Sequence, residues 1–287
     1  MSANKIGFVV SFSSNEKPFL EAQIKELYKC LETLESPITQ ESPITREPPM
    51  TQESIEIVYS IGTHLYDMRP EVDLVTPLIS SLGYSNVGVV RYPVEEDVAK
   101  VPRKYHNLAR EAGVSRLSKD VEWVVFLDAD EIPDSSAFSQ WYAQVHKNLQ
   151  KSLVYKLACY WYFVKPTWQA TTEEDSILLV HRSQLTPEAL RDPLERDGIV
   201  RRCPGGHMRM IKSLNNRPMF HHFSWVRRVE QVVHKVKTWG HKGDRGDWVD
   251  VVEKTWSLSE PPPEGDFIHQ YKYNVVEDVF NLSPNFA

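Results

Sequence analysis

Residues 122–133 read EWVVFLDADEIP, from Glu122 to Pro133. Glu122 to Leu127 is short, strongly apolar and rich in β-branched and aromatic side chains, the pattern of a strand buried on both faces. Two carboxylates, Asp128 and Asp130, stand just past it, with Glu131 behind them. In an open α/β sheet, ligands gather outside the carboxyl ends of the strands. A dense negative patch there suits a divalent cation, Mn²⁺ or Mg²⁺, held by oxygen ligands with a diphosphate completing its shell. Such a cation neutralises charge that develops on a leaving diphosphate. The plainer alternative is a solvated turn with aspartates at capping positions.

Upstream, the chain alternates strands and helices. Residues 5–12, KIGFVVSF, read as a buried strand, and Ser13, Ser14 or Asn15 can cap the next helix. From Glu16 to Leu34, the residues Leu20, Ile24, Leu27, Leu31 and Leu34 recur at helical spacing. A second strand covers Ile55 to Ile61, a helix roughly 71–83, and a third strand 87–94; a helix around Asn107 to Arg110 precedes Glu122. This βαβαβαβ order predicts an α/β fold with a mostly parallel, Rossmann-like sheet flanked by helices. It puts the chemistry just after residues 11, 61 and 127. Between the first helix and second strand, residues 35–54 repeat ESPITQ, ESPITR and EPPMTQ. Their proline content and lack of apolar mass read as a flexible insertion.

The 287 residues carry 33 Lys+Arg against 39 Asp+Glu, a net charge of −6, which argues against nucleic acid as a partner. Cys30, Cys159 and Cys203 form no CxxC pair, and an odd count speaks against a disulfide framework and for a reducing compartment. No stretch approaches 18 apolar residues and the apolar run at 6–10 is too short for a secretory leader, so the expectation is a soluble, cytoplasmic protein without a transmembrane segment.

KIGFVVSFSSNE, the segment Ala109-Arg110-Glu111-Ala112-Gly113 and WVVFLDADEIP together resemble the nucleotide-sugar half of a GT-A-fold glycosyltransferase, in the manner of family 2. Family 2 enzymes carry an ARNxG-like segment before their DxD; here Glu111 replaces the Asn. The resemblance implies that Arg110 contacts the donor, that Ser11, Phe12 and Ser13 line the nucleotide, and that Thr63 and His64 lie near the base. Further along come Tyr160-Trp161-Tyr162-Phe163-Val164-Lys165-Pro166, then Asp197-Gly198-Ile199-Val200-Arg201-Arg202, then His222-Phe223-Ser224-Trp225. With DADEIP, this series resembles family 17, the β-1,4-mannosyl-glycoprotein N-acetylglucosaminyltransferase group. The resemblance covers roughly 5–30 and 105–245. It implies a single GT-A domain with residues 1–134 as the nucleotide-sugar half and 135–287 as the acceptor half. The donor would be a UDP- or GDP-sugar, and the acceptor a glycan or glycoprotein.

His222 precedes an amphipathic segment, Val229, Val232, Val233 and Val236. As a neutral imidazole it could complete a metal site with Asp128 and Asp130, or simply pack against backbone. Asp128 could bind the metal or the donor ribose. An inverting transfer needs a carboxylate to deprotonate the acceptor hydroxyl. Glu131, Glu173, Glu174, Asp175, Asp192 and Asp197 are candidates, with Asp197 named first for its place in the DGI segment. Trp161, Trp168 and Trp225 could stack on acceptor sugars or fill the core. Asp247 to Lys254 reads as a helix stopped by Pro261-Pro262-Pro263, and the aromatic residues beyond 264 should pack back on the domain. Competing readings are a DxD phosphohydrolase, a nucleotidyltransferase and a non-catalytic carbohydrate-binding protein. Against the first, Ile132 stands where Thr or Val is usual; against the second, no Gly-rich basic loop follows residue 12.

Overall fold

Four apolar strands make the first half of the sheet: β1 (Lys5–Phe12), β2 (Ile55–Gly62), β3 (Val87–Tyr92) and β4 (Val121–Asp128). All their pairings are parallel, in the order β3-β2-β1-β4, and Ser11 lies opposite Asp128. A parallel neighbour needs a crossover, and helices supply it. They are α1 (Lys17–Glu35), α2 (Val75–Leu82), the single turn α3 (Glu96–Ala99) and α4 (Pro102–Arg116). Leu20, Ile24, Leu27 and Leu31 of α1 are buried against Phe8, Val10 and Leu127 in one core; Val9, Val124 and Phe126 face a second core with Val114 and Leu117. Gly113 of α4 lies so close to the sheet that an added Cβ would meet Val9 Cγ1 at 2.3 Å and Ser60 Oγ at 2.7 Å.

The structure, a computed structural model, describes residues 5–35, 55–65, 67–84, 86–99, 101–146, 149, 152–238 and 246–286. Apart from Glu35, the ESPITQ repeat lies outside them.

Past β4 the sheet continues with a change of direction. The short β5 (Glu131–Pro133) leads into α5 (Ser135–Val145), capped by the Asp134 side chain on the Ala137 N–H. Then β6 (Val154–Phe163) and β7 (Lys165–His181) form a long antiparallel hairpin, with β7 beside β4. α6 (Pro187–Leu190), α7 (Arg196–Arg202) and β8 (Met208–Ile211) precede β9 (Phe220–Trp225), which runs parallel to β6 and antiparallel to β5. α8 (Val229–Thr238), α9 (Trp248–Trp256) and β10 (Tyr273–Val275) close the chain. The result is one α/β domain with a mostly parallel, curled, Rossmann-like central sheet flanked by helices. Among the described residues no helix is long and apolar enough to cross a membrane.

The structure corrects several expectations. Phe12 is core, edge-on to Tyr59, and presents no face to a ligand. Trp161, Trp168 and Trp225 are 5%, 2% and 2% exposed, buried together beneath α8 and α9, so none can stack on an acceptor sugar. The Asp197-Gly198 segment lies in the first turn of α7, with Ile199 and Val200 buried. Cys30, Cys159 and Cys203 are free and buried in three places: α1, the middle of β6, and the end of α7. Burial pushes the Cys159 thiol up to about 12.

Candidate functional site

The DxD occupies the turn between β4 and β5. Gln23 of α1 holds that turn: its amide donates to the carbonyls of Asp128 (2.8 Å) and Glu131 (2.7 Å), and the Tyr59 hydroxyl fixes it by donating to Oε1 (2.9 Å). Because β5 pairs with β9, Glu131 sits opposite His222, and because β9 pairs with β6, His222 also sits opposite Trp161. Strand register thus brings a histidine from 92 positions downstream beside the acidic turn.

Two buried arginines, unforeseen, define the electrostatics. Arg196 reaches Asp128 Oδ2 at 3.1 Å and grips both oxygens of Glu131 at 2.8 Å. Glu131 is fully buried and also accepts the Asp128 N–H (2.8 Å) and the Ser176 hydroxyl (3.0 Å). It is therefore a structural anchor rather than a base. Arg227 bridges Asp130 Oδ2 (2.8 Å) and Glu16 Oε2 (2.6 Å), donates to the Phe223 and Val226 carbonyls, and lies over the Phe19 ring. Burial alone would push the Asp128 carboxyl up; Arg196, aided by His106, Arg110 and His222, more than reverses this and holds it well below the usual range. Asp130 is lowered in the same way, Arg227 and then His222 overcoming its burial.

The arrangement bears on the expected cation. Among the described residues, no group of three or more His, Cys, Asp or Glu side chains is arranged to hold a metal ion. Asp128, drawn to Arg196, does not join the other two. What remains is a pair of donors, Asp130 Oδ1 and His222 Nε2, 3.8 Å apart. Each is oriented from behind, Asp130 by Arg227 and His222 by Ser176 at Nδ1 (3.3 Å). One carboxylate and one imidazole fit a divalent cation that takes its other ligands from substrate phosphates and water.

A cavity of about 720 Å³ opens beside Asp128, Glu131, Ser176 and His222. Arg103, Arg110, Lys156, Arg196 and Arg209 line it, as do seven carboxylates. Six of these are tied to lysine or arginine: Asp128 and Glu131 to Arg196, Glu195 to Arg110, Asp197 to Lys156, Asp175 to Lys156 and Arg209, and Glu173 to Lys212. Three buried polar atoms on the lining residues have no hydrogen-bond partner among the described residues: Asp128 Oδ1, Arg110 Nε and Arg196 Nε. A larger hollow of about 1200 Å³, walled by Val164, Pro166, Val233 and Trp256, contains none of the acidic turn.

Arg110 lines the cavity, while Glu111, in place of Asn, makes an outward bidentate pair with Arg191. Ser11, Ser13, Thr63 and His64 are not brought to the cavity lining. Thr63 Oγ1 accepts the Val94 N–H, and the Ser11 hydroxyl is buried at the end of β1. Asp197 lines the cavity, yet its side chain is 63% exposed and engaged by Lys156 at 3.2 Å. Asp192 caps the segment below, accepting from the Leu194 N–H and Arg202.

No family profile matches the chain, and no curated protein matches it. Among solved structures, 157 chains match. One is a 4-diphosphocytidyl-2C-methyl-D-erythritol synthase from Anaerococcus prevotii, at 10% identity and a TM-score of 0.42, covering 75% of this chain and 90% of that one. Another is Rv0371c from Mycobacterium tuberculosis, at 10% identity and 0.38, covering 75% and 96%. Likeness at this level says nothing about what this chain does.

Proposed function

We propose that the chain transfers a glycosyl group, with inversion, from a nucleoside-diphosphate sugar to a hydroxyl of a glycan or glycoconjugate. The supporting observation is the trio of partnerless buried atoms around one cavity at the carboxyl end of β4. Such atoms are costly unless a ligand satisfies them. Two guanidinium N–H donors suit phosphate oxygens, and a carboxylate oxygen suits a sugar or ribose hydroxyl. A sugar nucleotide carries both. In this reading Arg110 and Arg196 bind and orient the diphosphate, and Asp128 accepts from a donor hydroxyl. Asp130 and His222 would hold Mn²⁺ or Mg²⁺, which when bound supplies positive charge at the diphosphate.

The test is thermal stabilisation by UDP-, GDP-, TDP- and CMP-sugars with and without Mn²⁺. A ligand at 100 times its Kd adds about 2.7 kcal/mol to stability. The expected result is a rise with one sugar nucleotide that needs the cation and is absent in Asp130→Ala. No rise with any of them overturns the proposal. Nucleotidyl transfer is the second reading, because five cations around the cavity suit a triphosphate equally well. Stabilisation by a nucleoside triphosphate but by no sugar nucleotide would select it.

A further inference from the structure

The glycosyl-transfer reading leaves the group that activates the acceptor unassigned. We propose that Glu174 is the general base that takes the proton from the attacking hydroxyl. This rests on the reading above and deepens it.

Available lone pairs single it out. A base must offer an oxygen to the acceptor O–H. Of the seven carboxylates lining the cavity, six have oxygens on ammonium or guanidinium donors. Glu174 alone is set among other groups, among the described residues: His269 Nε2 lies 3.8 Å from Oε1, and the Tyr271 hydroxyl faces the carboxylate. Burial, then the Glu174 charge, pushes that phenol up to about 12, so it remains a hydrogen-bond donor that can orient the carboxylate.

Strand pairing puts Glu174 on the cavity wall, near Ser176. In β7, Glu174 pairs with Cys159 of β6 at an irregularity in the register, and the Ser176 hydroxyl lies 3.4 Å from the Cys159 sulfur. Glu173 and Asp175 carry the lysine and arginine pairs, whereas Ser176 bonds Glu131 and His222. Glu174 lines the same cavity as Ser176, which touches the acidic turn. Trp161, buried behind the cavity wall, stands edge-on to both His222 (4.8 Å) and His269 (5.1 Å). Glu174 is also 19% exposed, enough to meet a substrate entering the cavity.

In the step, the acceptor proton passes to a Glu174 oxygen as the acceptor oxygen bonds to the sugar's anomeric carbon. The bond from that carbon to the diphosphate breaks, and its electron pair leaves on the nucleoside diphosphate.

Azide separates a base from a merely structural glutamate. It attacks as an anion, with no proton to remove. Release of nucleoside diphosphate from the sugar-nucleotide panel is measured with water, then with sodium azide, in wild type and Glu174→Gln. The expected result is a loss of about 100-fold or more with water, little loss with azide, and unchanged donor stabilisation. Equal rates in the two proteins, or equal losses with water and azide while donor binding persists, would overturn the assignment. If Glu174→Gln lacks the wild-type melting transition, Glu174→Asp replaces it, with the same asymmetry expected from a withdrawn carboxylate. A wild type that releases no nucleoside diphosphate from any sugar nucleotide, under water or azide, overturns the glycosyl-transfer reading itself, and the base assignment with it.

Discussion

Arg196 is the residue on which two carboxylates lean. Glu131 has no contact with solvent and Asp128 has one oxygen on the same guanidinium. Removing one partner of a buried pair leaves an uncompensated charge, which typically costs about 3–5 kcal/mol. Arg196→Ala is expected to lose that much stability in urea denaturation, and a loss below about 1 kcal/mol would mean the acidic turn stands without it. Asp175 gives a pH prediction. Burial would raise its carboxyl, but Arg209 and Lys156 outweigh burial and hold it below the ordinary value. A carboxylate lowered on folding stabilises the protein above its unfolded value of about 3.9, and that contribution is lost as pH falls through the lower folded value. The melting temperature of Asp175→Asn should therefore fall less steeply than that of wild type on acidification below about pH 4. Parallel curves would show that the pair adds nothing.

At the scale of elements, the seating of α4 on the sheet depends on Gly113. A methyl group at this position would lie 2.3 Å from Val9 Cγ1, so Gly113→Ala must push the helix off β1. Overpacking of this kind costs about 1–3 kcal/mol, readable as a shift in the denaturation midpoint. The same glycine belongs to the ARxxG frame, so that motif has a packing cause as well as an arginine on the cavity wall. The parallel half of the sheet was legible because each strand is a continuous apolar run between helical periodicities; β1 and β4 fall where Lys5–Phe12 and Glu122–Leu127 suggested. The antiparallel half was harder. Its aromatic run spans the end of β6 and the start of β7, and tight burial, rather than sugar contact, explains the tryptophans. In the site, motif order named Asp130 and His222 as candidates, and the structure places them 3.8 Å apart. Arg196 and Arg227 were not, because the acids they serve lie 65 to 211 positions away. A signal existed: each arginine abuts a recognised segment, Asp197-Gly198 or His222-Trp225, and buried acids require a cation close by.

Across the whole molecule, α1 and the segment around residues 280–286 meet on β9. Phe19 of α1 stacks on Phe223 of β9 and touches Phe286, while Phe280 stands edge-on to His221 and Leu282 is 1% exposed in the same cluster. Burial pushes His221 down to about 3, so it packs there as a neutral ring, bonded at Nδ1 to the Tyr162 hydroxyl. Leu282→Ala should cost about 2–5 kcal/mol despite its place five residues from the C-terminus. A change within about 0.5 kcal/mol would make the final segment a mere appendage. The three buried thiols offer a clock for such openings. Each sits in a different region, in α1, β6 and the end of α7, and none can react with an alkylating reagent until its own surroundings part. Mass spectrometry of alkylated peptides over time would then rank the regions by opening rate. Equal rates would describe a molecule that breathes as one piece, and unequal rates one that comes apart in a fixed order.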